Sequence, residues 1–183
     1  MHTLVSMIRG INVAGSRPLK MDRLKALLED LGLLRVRTYL QSGNAVFDSA
    51  SPDAGLHSLA IERRILRDFG YEVAVATKTS KSMSAAAVAN PFLRRPELDP
   101  AFLHATFLIG LGAARSLEGP GLPLARGEEA VLRGDVVYLY CPNGYGVTKM
   151  NNSFLERRLS ARATTRNWRT VTALERMARG EPP

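Results

Sequence analysis

Apolar positions in the first 80 residues alternate with polar ones over short runs and recur at helical spacing over longer ones. Residues 3–8 form a short apolar run typical of a buried strand, and Gly32 and Gly70 follow two helical stretches as stop signals. The pattern predicts strands over 3–8, 36–41, 44–48 and 71–78 and helices over 21–31 and 53–69. This order, β-α-β-β-α-β, is the plan of a ferredoxin-like (α-β plait, split βαβ) domain.

The same periodicity predicts which side chains face the core. For the helix over 21–31 they are Leu24, Leu27, Leu28 and Leu31. For the helix over 53–69 they are Leu56, Leu59, Ile65, Leu66 and Phe69. Between the second and third strands, Ser42-Gly43 predicts a tight hairpin turn, because glycine adopts the backbone conformations that short hairpin loops require.

The second half of the chain shows a similar order less clearly. Its pattern predicts strands over 103–109, 129–133, 136–141 and 163–166, helices over 80–89, 152–159 and 168–177, and a short helical segment from Gly112. No sequence repeat joins the two halves, so their similarity rests on this pattern alone. We therefore expect an α+β fold of two ferredoxin-like domains packed together, one over 1–79 and one over 80–183, with an additional C-terminal helix.

The amino-acid composition indicates an ordinary globular protein. Hydrophobic residues make up 45% of the chain and the mean hydropathy is -0.08, as in ordinary soluble globular proteins. No apolar run approaches the roughly 20 residues of a membrane helix, so we expect no membrane partner. The chain starts directly on a strand pattern without a charged leader, and the single cysteine, Cys141, fits a reducing compartment. These observations predict a cytoplasmic protein.

The net charge of +8 and the pI of about 10.1 add a possible class of partner. Residues 141–183 hold 8 basic and 3 acidic side chains, a surplus of 5, so the basic excess is concentrated in the tail. Such a surplus can attract nucleic acid or a small anionic molecule. The alternative is a compositional bias toward arginine, since only five of the 25 basic residues are lysine.

Three polar segments that contain glycine each follow a predicted strand: residues 9–12 (RGIN), 41–44 (QSGN) and 142–146 (PNGYG). A basic segment, residues 164–170 (TTRNWRT), comes later. Binding residues are often found in loops that a rigid scaffold holds. The candidate ligand-binding residues are Arg9, Asn12, Gln41, Asn44, Asn143, Lys149, Arg166 and Arg169.

Each segment also has a purely structural interpretation. Arg9 and Asn12 could bind an anion, or Asn12 could close the following loop while Arg9 pairs with a nearby acid. The loop from Gly144 to Lys149 could cradle an anion through its backbone N–H groups, although its spacing is not that of a P-loop. Arg166 could lie exposed beside Trp168 or brace the helix that carries this tryptophan.

Signals for catalysis and for metals are weak. The three histidines, His2, His57 and His104, lack carboxylate or thiolate neighbours at ligand spacing, so we expect no metal and no cofactor. Ser42 has no nucleophile-elbow context, and Cys141 has no evident catalytic partner in the sequence. The sequence leaves open whether the protein is an enzyme, and it leaves the oligomeric state open as well.

Distinctive motifs occur at residues 8–13 (IRGINV) and 38–44 (TYLQSGN), at 142–144 (PNG) with Lys149, and at 165–168 (TRNW). In these motifs the chain resembles the DUF1697 family of bacterial proteins. The resemblance implies two α-β plait domains and no known activity. Val147 stands where the family often has an arginine, which removes a positive charge from the third glycine segment.

Two hypotheses from different classes follow. The first is a module that binds an anionic ligand, with nucleic acid as one option, through Arg9, Lys149, Arg166 and Arg169. The second is an enzyme that acts on a small phosphorylated or carboxylated substrate in a cleft between the domains. A steep loss of affinity with salt would favour nucleic-acid binding.

Overall fold

The computed structural model describes residues 1–13, 15–110, 116–117 and 121–183. Within these residues the fold is mixed α and β, with two four-stranded antiparallel sheets and five α-helices. The strands are His2–Ile8 (β1), Leu34–Tyr39 (β2), Asn44–Ser49 (β3), Val75–Thr79 (β4), Leu103–Ile109 (β5), Glu129–Arg133 (β6), Val136–Tyr140 (β7) and Arg162–Asn167 (β8). The helices are Met21–Asp30 (α1), Ala54–Phe69 (α2), Ser80–Val88 (α3), Asn152–Leu159 (α4) and Trp168–Ala178 (α5).

Most predicted elements are confirmed within a few residues, and β5, β6 and α4 have the predicted bounds. The predicted helical segment from Gly112 lies outside the described residues. The proline-containing stretch predicted as a loop holds two short 3₁₀ helices, Pro91–Arg94 and Pro100–Phe102. Proline is favourable at the first position of such a turn because it has no N–H to leave unbonded.

The described chain divides into two compact units. The first contains Met1–Ala85 together with Ala173–Pro183, and the second contains Ala86–Thr172. Because the last eleven residues group with the first unit, this division differs from a single cut after residue 79. No helix in the described part of the chain is long and apolar enough to cross a membrane.

In the first unit the strand order is β2-β3-β1-β4, and the central strand β1 is antiparallel to both neighbours. Side chains alternate between the two faces of such a sheet. One face packs against α1 and α2 in a core that includes Leu4, Phe47, Leu24 and Ile61. The hydrophobic face of each helix is therefore removed from water against this sheet.

The prediction for the core face of α2 is wrong for three leucines. Leu56, Leu59 and Leu66 are 61%, 45% and 46% exposed, whereas Ile61 and Ile65 are fully buried. The helix carries two apolar stripes at helical spacing, and the isoleucine stripe faces the sheet. Ser58 fixes this orientation on the buried side, where its hydroxyl donates a hydrogen bond to Thr77 Oγ1 at 2.9 Å.

The end of α5 is hydrogen-bonded to the first sheet and to the start of α3. Arg37, which pairs with Val46 across β2 and β3, donates from Nη2 to the carbonyl oxygen of Met177 at 2.6 Å. The hydroxyl of Ser80 donates to the carbonyl oxygen of Ala178 at 3.0 Å. The Met177 carbonyl oxygen also accepts from the backbone N–H of Gly180 at 3.0 Å, so the helix end is held by side-chain and backbone donors together.

In the second unit the strand order is β6-β7-β5-β8, again fully antiparallel. Its core against α4 includes Leu108, Leu139 and Leu155. Tyr138 lies on the other face of the sheet, where its ring meets Trp168 edge-on with centroids 6.4 Å apart. Its hydroxyl donates to the carbonyl oxygen of Ala86 at 2.6 Å, so this buried polar group has a partner.

Candidate anion-binding site

Two of the predicted polar segments, residues 9–12 and 41–44, meet at one edge of the first sheet. Because β1 and β3 are antiparallel, the end of β1 lies beside the start of β3. The backbone N–H of Ile8 donates to the carbonyl oxygen of Gly43 at 2.8 Å. The side-chain Nδ2 of Asn12 donates to the carbonyl oxygen of Gln41, also at 2.8 Å.

Gly43 allows this close approach. The hairpin turn spans four residues, 40–43, rather than the predicted two, and Gly43 has a φ of 77°. A Cβ atom at this position would lie 2.6 Å from Ile11 Cδ1 and 2.8 Å from Ile11 Cγ1. The position therefore requires glycine both for its backbone conformation and for the space beside Ile11.

Asn12 closes the loop that follows β1. Its Oδ1 accepts a hydrogen bond from the backbone N–H of Leu19 at 2.7 Å, and its Nδ2 donates to the Leu19 carbonyl oxygen at 2.8 Å. Its own φ of 56° is one that asparagine tolerates better than most residues. With the bond to Gln41, the amide holds the loop and the hairpin turn together.

The other predicted residues at this edge differ in accessibility. Asn44 is fully buried, and its Nδ2 donates to the Tyr39 carbonyl oxygen at 2.9 Å and to Ser42 Oγ at 3.0 Å. The side chain of Gln41 is exposed, and Arg9 is half-buried. Of these residues, Arg9 and Gln41 are the ones that solvent reaches.

We call residues 9–20 the basic loop. It contains Arg9, Arg17 and Lys20 and no acidic residue. Arg17, which the sequence prediction missed, lies across the start of the loop, since a Cβ atom on Gly10 would be 3.3 Å from its Nη1. Arg17 and Lys20 are exposed and form no ion pair within the described residues.

Two backbone N–H groups of the basic loop are already hydrogen-bonded within the protein. The N–H of Asn12 donates to the carbonyl oxygen of Arg17 at 3.2 Å, and the N–H of Arg9 donates to the carbonyl oxygen of Ala74 at 2.8 Å. The exposed cationic side chains are therefore what the loop offers to an anion.

The third glycine segment lies in the loop over 141–150 of the second unit. Asn143 is exposed, with a long 3.5 Å bond from Nδ2 to the Arg126 carbonyl oxygen, and Lys149 is exposed and has no partner in the described part of the chain. Behind this loop lies the buried carboxylate of Glu128, whose Oε2 accepts from Thr148 Oγ1 at 3.0 Å. This negative charge opposes the binding of an anion at the same loop.

Glu128 also affects the only cysteine. Burial, and then the nearby Glu128 carboxylate, raise the pKa of the Cys141 thiol to about 11. A thiol with this pKa stays protonated at neutral pH and is a poor nucleophile. Cys141 therefore packs as a small apolar side chain in the core beneath α4.

A hydroxyl network links the remaining motif residues of the second unit. Thr165 Oγ1 donates to Asn152 Oδ1 at 2.7 Å and accepts from the hydroxyl of Tyr145 at 3.0 Å. Thr106 Oγ1 lies 2.7 Å from Thr165 Oγ1. The Tyr145 ring stacks on His104, with the ring centroids 4.8 Å apart. The network joins the glycine segment to β5, β8 and α4, which is a structural function.

Of the two interpretations of Arg166, the exposed one is excluded, because this residue is 8% exposed on β8. Its Nη1 donates to Thr164 Oγ1 and to the Thr165 carbonyl oxygen, both at 2.9 Å. Burial lowers the pKa of its guanidinium to about 10, so it remains charged at neutral pH. Arg169 is exposed. Arg166 is therefore not exposed alongside Lys149 and Arg169, with which the first hypothesis grouped it.

No group of three or more histidine, cysteine, aspartate or glutamate residues in the described ranges could hold a metal ion.

Comparison with known proteins supplies a family and a fold. A family model described as a protein of unknown function, DUF1697, matches residues 1–138. The chain is also similar to a solved structure of the conserved bacterial protein SP0830 from Streptococcus pneumoniae, with 20% sequence identity and a TM-score of 0.70. That similarity covers 97% of this chain and 98% of the other. No curated protein matches.

Proposed function

Because the chain belongs to the DUF1697 family, whose function is unknown, its activity has to be inferred from its own geometry, and we propose that the basic loop binds a phosphate-bearing anionic ligand. The observation that carries this proposal is the position of Arg17 against Gly10, beside Arg9, in a loop with no acidic residue. Arginine presents its N–H donors as a planar fork that matches the oxygens of phosphate.

The electrostatics favour the basic loop over the loop at 141–150. The latter holds a single basic residue, Lys149, and is backed by the buried carboxylate of Glu128. The basic loop has three basic residues, and the neighbouring turn over 40–43 carries no charge. An anion at the basic loop therefore meets only positive charge from these two segments.

The chemistry shared by the expected ligands is the phosphate group, which occurs in nucleic acids and in small phosphorylated molecules. A flexible single strand can follow an exposed loop with its backbone phosphates. Nucleic acid is therefore the first ligand to test, and pyrophosphate is the small-molecule probe for the same group.

The test is a titration of a labelled single-stranded RNA or DNA oligomer, and separately of pyrophosphate, into the full chain at two salt concentrations. Three phosphate contacts predict a slope of roughly -2 to -3 for log affinity against log salt. Arg17→Gln should reduce the magnitude of that slope by about 1 and weaken binding. The matched control is Arg133→Gln, which removes an exposed arginine from the β6–β7 hairpin.

Binding of the oligomer with the predicted slope supports nucleic acid, and binding of pyrophosphate alone supports a small ligand. The proposal fails if neither probe binds at low salt, or if Arg17→Gln and Arg133→Gln have the same effect. Because Arg17 is exposed and has no ion pair within the described residues, its replacement should leave the fold unchanged.

We also infer that each unit has the ferredoxin-like topology. The strand orders β2-β3-β1-β4 and β6-β7-β5-β8 support this, because in both the first strand of the unit lies between the third and the fourth. A cytoplasmic location is supported by the single free cysteine, which is compatible with a reducing compartment.

A further inference from the structure

A cavity of about 510 Å³ lies at the other end of the first sheet, within the first unit. We call it the bulge pocket, and it is lined by Arg35, Arg37, Val46, Asp48, Ala178 and Arg179, among others. The pocket also includes Thr3 at the start of β1, six residues before Arg9, which is about 20 Å along an extended strand. It is therefore separate from the basic loop.

A β-bulge forms one wall of the pocket. Leu34 pairs with Asp48 and Arg37 pairs with Val46, so β2 advances by three residues while β3 advances by two. The extra residue is accommodated at Arg35, whose φ of 49° is unusual for a residue other than glycine. Bulges are common beside binding sites because they redirect side chains. Arg37 is held toward the pocket and the end of α5.

The polar side chains that line the pocket differ in how many of their hydrogen-bonding atoms already have partners. Asp48 accepts from Thr3 Oγ1 at 2.7 Å and from Arg35 Nε, so both of its oxygens have partners. Arg179 pairs with Glu175 and Glu181, each at 3.2 Å. A guanidinium has five N–H donors. Arg37 uses one of them, on the Met177 carbonyl oxygen, and has no ion pair among the described residues.

The rest of the lining is apolar. Ala178, which is 6% exposed, supplies apolar surface to the pocket, and Val46 beside the pocket is fully buried. The methylene stems of the arginines add apolar surface at the rim, as long cationic side chains commonly do. The volume falls within the roughly 300–1,000 Å³ of small-molecule sites.

We propose that the bulge pocket binds a small organic carboxylate with an apolar body, with the carboxylate on the Arg37 guanidinium and the body against Ala178 and the arginine stems. A carboxylate matches two parallel N–H donors of the fork. A neutral molecule of the same shape lacks this pairing and binds more weakly.

The test uses benzoate and hexanoate as probes and benzamide as the neutral match for benzoate. Each is titrated into the ¹⁵N-labelled full chain, and the amide signals of Arg37, Arg179 and Gly180 are followed by NMR. Benzoate and hexanoate should shift these signals to saturation, and benzamide should not. No saturable shift up to about 10 mM, which is above a Kd of about 1 mM, overturns the proposal, and so does equal binding of benzamide.

Variants decide whether Arg37 holds the carboxylate. Arg37→Met should abolish binding of benzoate, and Arg133→Met, which removes an exposed arginine of the second unit, should leave it unchanged. Because Arg37→Met also removes the bond to Met177, Arg37→Lys is the second variant. It keeps a positive charge and one donor but loses the fork, so affinity should fall about tenfold. Wild-type affinity in both variants contradicts the assignment.

Discussion

The contact between Gly43 and Ile11 predicts a specific destabilisation by Gly43→Ala. Alanine at a φ of 77° costs about 1–2 kcal/mol, since its Cβ crowds its own backbone. The new Cβ would also lie 2.6 Å and 2.8 Å from two Ile11 atoms and 3.2 Å from Ile8 Cβ. Overpacking of this kind costs about 1–3 kcal/mol. The free energy of unfolding should therefore fall by about 2–5 kcal/mol.

Gly32→Ala is the matched control. Gly32 lies in the same unit and has a φ of 78°, but a Cβ there would meet nothing within 4 Å. This substitution introduces the backbone strain without the contact with Ile11. The difference between the two variants isolates the packing of the hairpin turn against the basic loop, and it should be about 1–3 kcal/mol.

Urea unfolding followed by far-UV circular dichroism measures both variants against wild type. Gly43→Ala should unfold at a clearly lower urea concentration than Gly32→Ala. Equal midpoints would refute the reasoning, because they would show that the contact with Ile11 adds nothing to the destabilisation caused by backbone strain.

Three further predictions concern the second unit. Arg166→Ala should lower the free energy of unfolding by about 2 kcal/mol, because buried groups that are hydrogen-bonded to Arg166 lose their partner. The control is Arg169→Ala at an exposed position, which should change the free energy of unfolding by less than about 0.5 kcal/mol in the same urea assay. Thr165→Val, which removes a hydroxyl bonded to Tyr145 and to Asn152, should cost about 1–3 kcal/mol, and Thr165→Ser should retain most of the stability; equal losses would contradict the network. The raised pKa of Cys141 contributes stability that is fully present below its ordinary value of 9.0 and is lost as the pH rises toward about 11. Comparison of wild type with Cys141→Ala over this range should show a smaller alkaline loss in the variant, and parallel curves would exclude the effect.

The order of the described elements could be predicted from the sequence, because the spacing of apolar residues and the glycines that end helices indicate the same boundaries along most of the chain. It could not select the buried face of α2, since leucines and isoleucines form two apolar stripes and only the sheet decides between them. The start of β2 was placed two residues late because the bulge at Arg35 interrupts strand alternation. The buried face of α2 and the start of β2 both depend on tertiary contacts, which a local sequence pattern does not reveal.

For the candidate site, the polar glycine segments at 9–12 and 41–44 were recognisable, and antiparallel pairing explains why they meet. Arg17 was missed because its relation to Gly10 is a contact across a loop, which has no sequence period. Glu128 was missed because nothing in a loop sequence distinguishes a buried carboxylate from an exposed one. The burial of Arg166 was left open for the same reason, since its charge is compatible with either an exposed or a bracing position.

The grouping of Ala173–Pro183 with the first unit has a consequence for synthesis of the protein. A ribosome completes residues 1–85 early, and nascent domains generally fold as soon as they emerge. Here the segment that bonds to Arg37 and Ser80 is synthesised only after the whole second unit. Arg37 and Ser80 therefore lack these partners until residues 173–183 have emerged, and a chain that terminates before residue 173 lacks them for its whole lifetime.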